Sequence, residues 1–289
     1  MKALTIAACA TALLALFAQP APAGERRPAV RHWDVPAISS PMWESHPAID
    51  PLTRDLWFVR SDAKFSGWRI LVSHCVQGGW AAPEPMPFAE AGLEADPYFT
   101  PDGRSLYFIA SHGSGSLRSA ALDIWRADRD RTGRWSRPQR LPAPVNSDAA
   151  EWFPRPAPDG WLYFGSYREG GFGQDDIWRA RRSPGGAWQV ENAGREINGA
   201  GDEYEFQPSP DGRWALLSAD SGFYRLEHTA HGWGRKRALG AEINATGTEI
   251  GPMILPGGRG FLFSRDAGGG LSGELYLAGD ASKAPACRR

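Results

Sequence analysis

The stretch APDGWLYFGSYREGGFGQDDIW, residues 157–178, decides the fold. Pro158-Asp159-Gly160 is a tight turn: proline presets φ and glycine is free to take positive φ. The run WLYFGSY that follows is aromatic and apolar enough for a strand buried on both faces. A glycine-rich loop then leads to Asp175-Asp176 and a second strand opening on Ile177-Trp178. The two aspartates either face a ligand or tie off the corner between the strands.

Recurrence of this pattern gives the architecture. Pro101, Pro158 and Pro210 open Pro-Asp-Gly turns, while Pro256 and Pro51 open variants of them. Seven residues before each proline stands a glutamate: Glu44, Glu94, Glu151, Glu203 and Glu249. A further proline follows three residues after four of them, with Phe206 in the fourth copy. An apolar residue (Ile38, Phe88, Val145, Ile197, Ile243) precedes each glutamate by six, and Asn146, Asn198 and Asn244 come next in three copies. Spacings between glutamates of 50, 57, 52 and 46 residues leave room for about four strands per copy. The sequence therefore predicts an all-β, five-bladed propeller of four-stranded antiparallel blades, since such blades bury their faces only against one another. Trp57, Tyr107, Tyr163 and Phe263 are placed to fill the wedges between blades. The fifth copy lacks a last strand, and AVRHWDVPAIS near the start of the chain resembles the missing piece. An N-terminal strand closing the ring would remove the exposed edge.

The segments PDGRSLYF…LDIW and PDGWLYFGSYREGGFGQDDIW resemble the WD40-like repeats of TolB-type β-propellers, common in exported bacterial proteins. The resemblance runs from about Ser40 to Asp280, strongest in the second and third copies and degenerate in the first and fifth. It implies a propeller with a binding or scaffolding role. TolB carries an additional N-terminal domain that this chain is too short to include.

Residues 1–23 have the proportions of a secretory signal peptide, with Lys2, an apolar run from Leu4 to Phe17 and Ala21-Pro22-Ala23 as cleavage site. The run is shorter than the roughly 20 residues of a spanning helix. We therefore expect residues 24–289 to form one propeller domain, periplasmic or secreted and monomeric, with no membrane span. Cys75 and Cys287 then remain as an even pair, and in an exported chain they are expected to form a disulfide. Ring closure makes their blades neighbours. A formal charge of −1 offers nothing to nucleic acid.

In a propeller the first strand of each blade lines the channel, so Glu44, Glu94, Glu151, Glu203 and Glu249 gather at one end. They form either an acidic mouth for a ligand or a repeated structural part that accepts backbone hydrogen bonds, and repetition in all five copies favours the second. Asp176 is expected to tie off the Gly170–Gly173 loop. Asp175 has no repeat counterpart and is the better candidate to face a ligand. His46 is expected beside the channel, and Tyr167, Arg168 and Arg118, with His112 and Phe172, on the most variable loops. Such a rim suits a protein, a peptide or a cell-envelope glycan. Motifs for a serine nucleophile, a zinc site or a phosphate loop are missing; no cofactor is expected, and a calcium ion at the mouth has no motif behind it. The reading is a non-enzymatic binding or scaffold module. The alternative is a glycan hydrolase using the rim carboxylates.

Overall fold

The computed structural model describes residues 29–111, 122–220, 222–266 and 273–287. The segment read as a signal peptide lies outside them, as do Arg118 and His112. Five antiparallel sheets follow one another around an axis. The innermost strands are Trp43–Ile49, Glu94–Phe99, Glu151–Pro156, Glu203–Pro208 and Ile250–Ile254. Leu56–Ser61, Ser105–Ala110, Leu162–Ser166, Trp214–Ala219 and Gly260–Asp266 come second, and Arg69–Ser73, Asp123–Asp128, Asp176–Arg182, Gly222–Thr229 and Gly273–Gly279 third. No α-helix occurs among the described residues.

The Pro-Asp-Gly turns form for the reason read from the sequence. Asp102, Asp159 and Asp211 each accept the backbone N–H two residues on, at 3.0, 3.0 and 3.1 Å. Gly103, Gly160 and Gly212 take φ of 65°, 83° and 68°, where a Cβ would be strained. Second strands are almost wholly buried, so Trp57, Tyr107, Tyr163 and Phe263 sit in the core. The outermost strands are short, and Trp80 is not in that of the first blade. It pairs with Cys75 in a small hairpin (Cys75–Val76 with Gly79–Trp80), while Glu84–Pro85 forms the outer edge of the first blade.

Ring closure is as the sequence predicts. Val30–His32 is the outer strand of the fifth blade, antiparallel to Gly273–Gly279, with Val30 opposite Ala278 and His32 opposite Tyr276. Trp33, Val35 and Ile38 then pack into the wedge between the first and fifth blades, against Leu56, Phe58, Leu262 and Leu277. A disulfide joins Cys75 of the first blade to Cys287, 212 residues on. In the chain-entropy model a crosslink over so long a loop removes about 5 kcal/mol of denatured-state freedom.

Because Trp33 anchors the closing strand, Trp33→Ala is expected to destabilise the whole ring by about 3 kcal/mol. Urea melts followed at more than one wavelength should show this as a single shifted transition. An unshifted midpoint would mean that the strand contributes nothing to closure.

Candidate functional site: the central channel

The five glutamates are at most 3 % exposed. Each accepts the backbone N–H four residues earlier: Ser40, Glu90, Ser147, Gly199 and Ala245. Each also faces a cation, namely Arg60, Arg69, Arg168, Lys236 and Arg265. Burial raises the carboxyl pKa of Glu44, Glu94 and Glu151, with their donors pulling the other way. At Glu249 burial is outweighed by the N–H groups of Thr246 and Ala245, which hold the pKa below its ordinary value. The asparagines complete the corner. Asn146, Asn198 and Asn244 bridge both the N–H and the C=O of Ile124, Ile177 and Phe223, clamping the third strand.

Arg168 belongs to this framework, since its guanidinium bonds Glu151 and the carbonyls of Pro144 and Val145. Asp176 accepts from the N–H groups of Phe172 and Gly173 and so ties off the glycine loop. Tyr167 is half exposed against Trp152. Asp175 lies beside Asp202, Asp176 and Asp220, and one of its oxygens is buried without a hydrogen bond. Desolvation, then those three carboxylates, raise its pKa to about 6.

On the axis the repeats differ. Two residues after each glutamate stand His46, Asp96, Phe153, Glu205 and Gly251. A proline follows four of these, and lacking an N–H it interrupts the ladder, so each inner strand bulges there. His46, Asp96, Phe153 and Gly251 accordingly have positive φ, 48° to 62°. The fourth blade, with Phe206 for proline, bulges between Glu203 and Glu205 instead. Non-glycine residues at positive φ persist only where their surroundings impose it.

The bulges bring His46, Asp96 and Glu205 together. His46 Nε2 lies 2.9 Å from Glu205 Oε1 and 3.3 Å from Asp96 Oδ1, and its Nδ1 is 2.9 Å from Ser45 Oγ. Asp96 also accepts Phe153 N–H at 2.8 Å, and Glu205 accepts Gly251 N–H at 3.0 Å. Only glycine fits at 251, since a Cβ would stand 2.7 Å from His46 N. Burial pulls the imidazole pKa down, yet Asp96 and Glu205 together outweigh it and hold it above its ordinary value. Burial likewise raises Asp96.

Four residues after each glutamate stand Ala48, Tyr98, Arg155, Gln207 and Met253. All five line a funnel of about 670 Å³, which runs to the Pro-Asp-Gly turns and is partly walled by Ser282–Pro285 of the disulfide-tied tail. Its lining contains Arg54, Arg155 and Lys283, and neither an acidic residue nor a histidine. Arg155 is 3 % exposed. Its Cζ lies 3.4 Å from the Phe153 ring centroid and 4.8 Å from that of Tyr98. Burial lowers its pKa to about 10, a value at which it stays charged at neutral pH.

The channel thus holds one expected site residue, His46, and brings it together with Asp96, Glu205 and Arg155, which sequence reasoning passed over. The signal was present. At the second and fourth positions after the glutamate the five copies share no residue, while the glutamate itself never varies.

No protein-family model matches the sequence, and no curated protein matches it. Solved structures do. A gluconolactonase from Xanthomonas campestris superposes with a TM-score of 0.50 at 16 % identity, over 82 % of this chain and 86 % of its own. A luciferin-regenerating enzyme gives 0.50 at 10 % identity, over 88 % and 96 %. A putative TolB from Agrobacterium tumefaciens gives 0.49 at 17 % identity, over 85 % and 80 %. At these identities the likeness is one of fold, the β-propeller.

Two outcomes follow from the charges. His46→Ala leaves two buried carboxylates without their shared partner and is expected to destabilise by about 3 kcal/mol. A chemical-denaturation midpoint that does not move would remove His46 from the axis framework. Asp175 binds its proton more tightly in the folded state, so it makes stability fall as pH rises from about 4 to about 6. Asp175→Asn should therefore raise stability at pH 7 by about 1 kcal/mol, allowing for solvent screening, and give no gain at pH 4. Equal effects at both pH values would show that the group is not perturbed.

Proposed function

We propose that the protein is an exported, non-enzymatic binding module that takes its ligand in the funnel at the turn end of the channel. The observation carrying this reading is the contrast between the two ends. At the glutamate end the five repeat glutamates are buried and engaged by backbone N–H groups and cations. At the turn end a cavity in the size range of small-molecule sites reaches the axis. Export is supported by the sequence of the first 23 residues and by the disulfide, a feature of oxidising compartments.

Hydrolysis of a glycan needs two carboxyl groups flanking the bond. The funnel lining supplies none, and Asp96 and Glu205 beneath it are taken up by His46 and backbone amides. The arrangement supports binding over turnover. A protein, peptide or glycan partner has its own place on the glutamate-end loop. There Tyr167 is 50 % and Phe172 36 % exposed, and Arg195 lies 4.1 Å from the Phe172 ring centroid.

A thermal-shift screen of small molecules and oligosaccharides against the wild type and Met253→Trp tests the location. The tryptophan partly fills the funnel, so ligands are expected to stabilise the wild type and to lose at least ten-fold in affinity with the variant. Ala48→Leu provides a smaller fill should the tryptophan variant fold poorly. Ligands that bind all forms alike would place the site elsewhere, and loss confined to Tyr167→Ala would place it on the glutamate-end loop.

A further inference from the structure

We propose that the funnel is a site for a small carboxylic acid with an apolar body, its carboxylate held by Arg155, Tyr98 and Gln207. The inference rests on the funnel reading above and names the ligand class.

The three polar residues occupy one repeat position on three consecutive blades, four residues after Glu94, Glu151 and Glu203. Each carries a donor that no other described residue uses. Arg155 Nη1 donates to the Pro154 carbonyl at 3.0 Å, but among the described residues Nε is buried without a partner and the guanidinium forms no salt bridge. Asp96 and Glu205 act on it only through space, each being already hydrogen-bonded. Among the described residues the Tyr98 hydroxyl has no hydrogen-bond partner, and burial raises its pKa, which keeps it a donor. Gln207 Oε1 accepts Ile254 N–H at 3.4 Å, leaving its amide N–H groups unused. A buried cation with an unmade hydrogen bond is a costly arrangement in a folded chain, and an anion relieves it.

Stacking between Phe153 and Tyr98 holds the guanidinium plane in place before any ligand arrives, which lowers the ordering cost of binding. Most of the remaining wall is apolar. Ala48 and Met253 stand at the same repeat position on the first and fifth blades, and Pro47, Pro101, Pro208 and Pro252 are among the prolines of the collar. Proline has no N–H, so the collar cannot form the ring of backbone donors that a phosphate group needs. One buried guanidinium with two neutral donors matches a single planar negative charge. Arg54 and Lys283, elsewhere in the lining, add attraction for an anion entering the funnel.

Calorimetric titration of the disulfide-bonded, exported form with octanoate and with octanamide tests this, the two probes sharing a body and differing in charge. Octanoate is expected to bind at least ten-fold tighter than octanamide in the wild type. Tyr98→Phe, which keeps the ring over Arg155, should weaken octanoate three- to ten-fold without shifting the melting temperature. Arg155→Met should abolish the difference between the probes, and because that residue is buried, the Tyr98→Phe result decides if the variant fails to fold. Equal affinities of the two probes in the wild type would overturn the carboxylate site while leaving a funnel that takes apolar bodies. Failure of both probes, with other ligands still sensitive to Met253→Trp, would overturn it in the same way. If no ligand is sensitive to Met253→Trp, the funnel reading itself falls.

Discussion

One cluster on the axis joins all five blades. His46 of the first blade reaches Glu205 of the fourth and Asp96 of the second. Asp96 receives the Phe153 N–H of the third blade, and Glu205 the Gly251 N–H of the fifth. Elsewhere each blade touches chiefly its neighbours, as in any ring of stacked sheets. A buried ion cluster is a poor source of net stability but an exacting one for geometry, because its desolvation is offset only when every donor and acceptor meets. Its geometry requires the bulges, four of the five bulges go with prolines, and Gly251 is small so that His46 can lie against it.

That constraint divides the channel. The cluster lies at the level where the inner strands bulge, and two residues further along the strands the side chains line the funnel. The framework of glutamates, asparagines and paired cations repeats because every blade has the same corner to close. The funnel does not repeat: four residues after the glutamate, donors stand on the second to fourth blades and apolar groups on the first and fifth. Asymmetry at a symmetric position marks where a blade departs from the common framework, on the axis and in the funnel alike. The propeller itself carries no such mark, as the varied proteins that share its fold illustrate.

The repeat was legible in the sequence because its signals are local. Pro-Asp-Gly sets a turn through one proline φ, one side-chain acceptor and one glycine, all within three residues. Two readings also came through from long range, the closing strand at Val30–His32 and the pair Cys75–Cys287, because a ring brings the ends of the chain to the same blades. The structural character of Asp176 was legible for the same local reason, its acceptors lying three and four residues from their donors.

The channel was decided by tertiary structure. Repetition in the sequence already favoured a structural role for the five glutamates, but only folding shows each one occupied by the N–H four residues before it and by a cation brought from elsewhere in the chain. Asp96, Glu205 and Arg155 gave no signal within their own strands, each of which also carries a repeat glutamate; only comparison of the five copies sets them apart. Their meaning depends on a bulge that turns side chains toward an axis shared by residues more than a hundred positions apart, His46 and Glu205 among them. The sequence by itself determined five blades, their turns and their closure, because those follow from short-range backbone chemistry and a repeated pattern. Which charges neutralise one another, and which donor is left facing open space, was decided only when the ring closed and fixed the distances between blades.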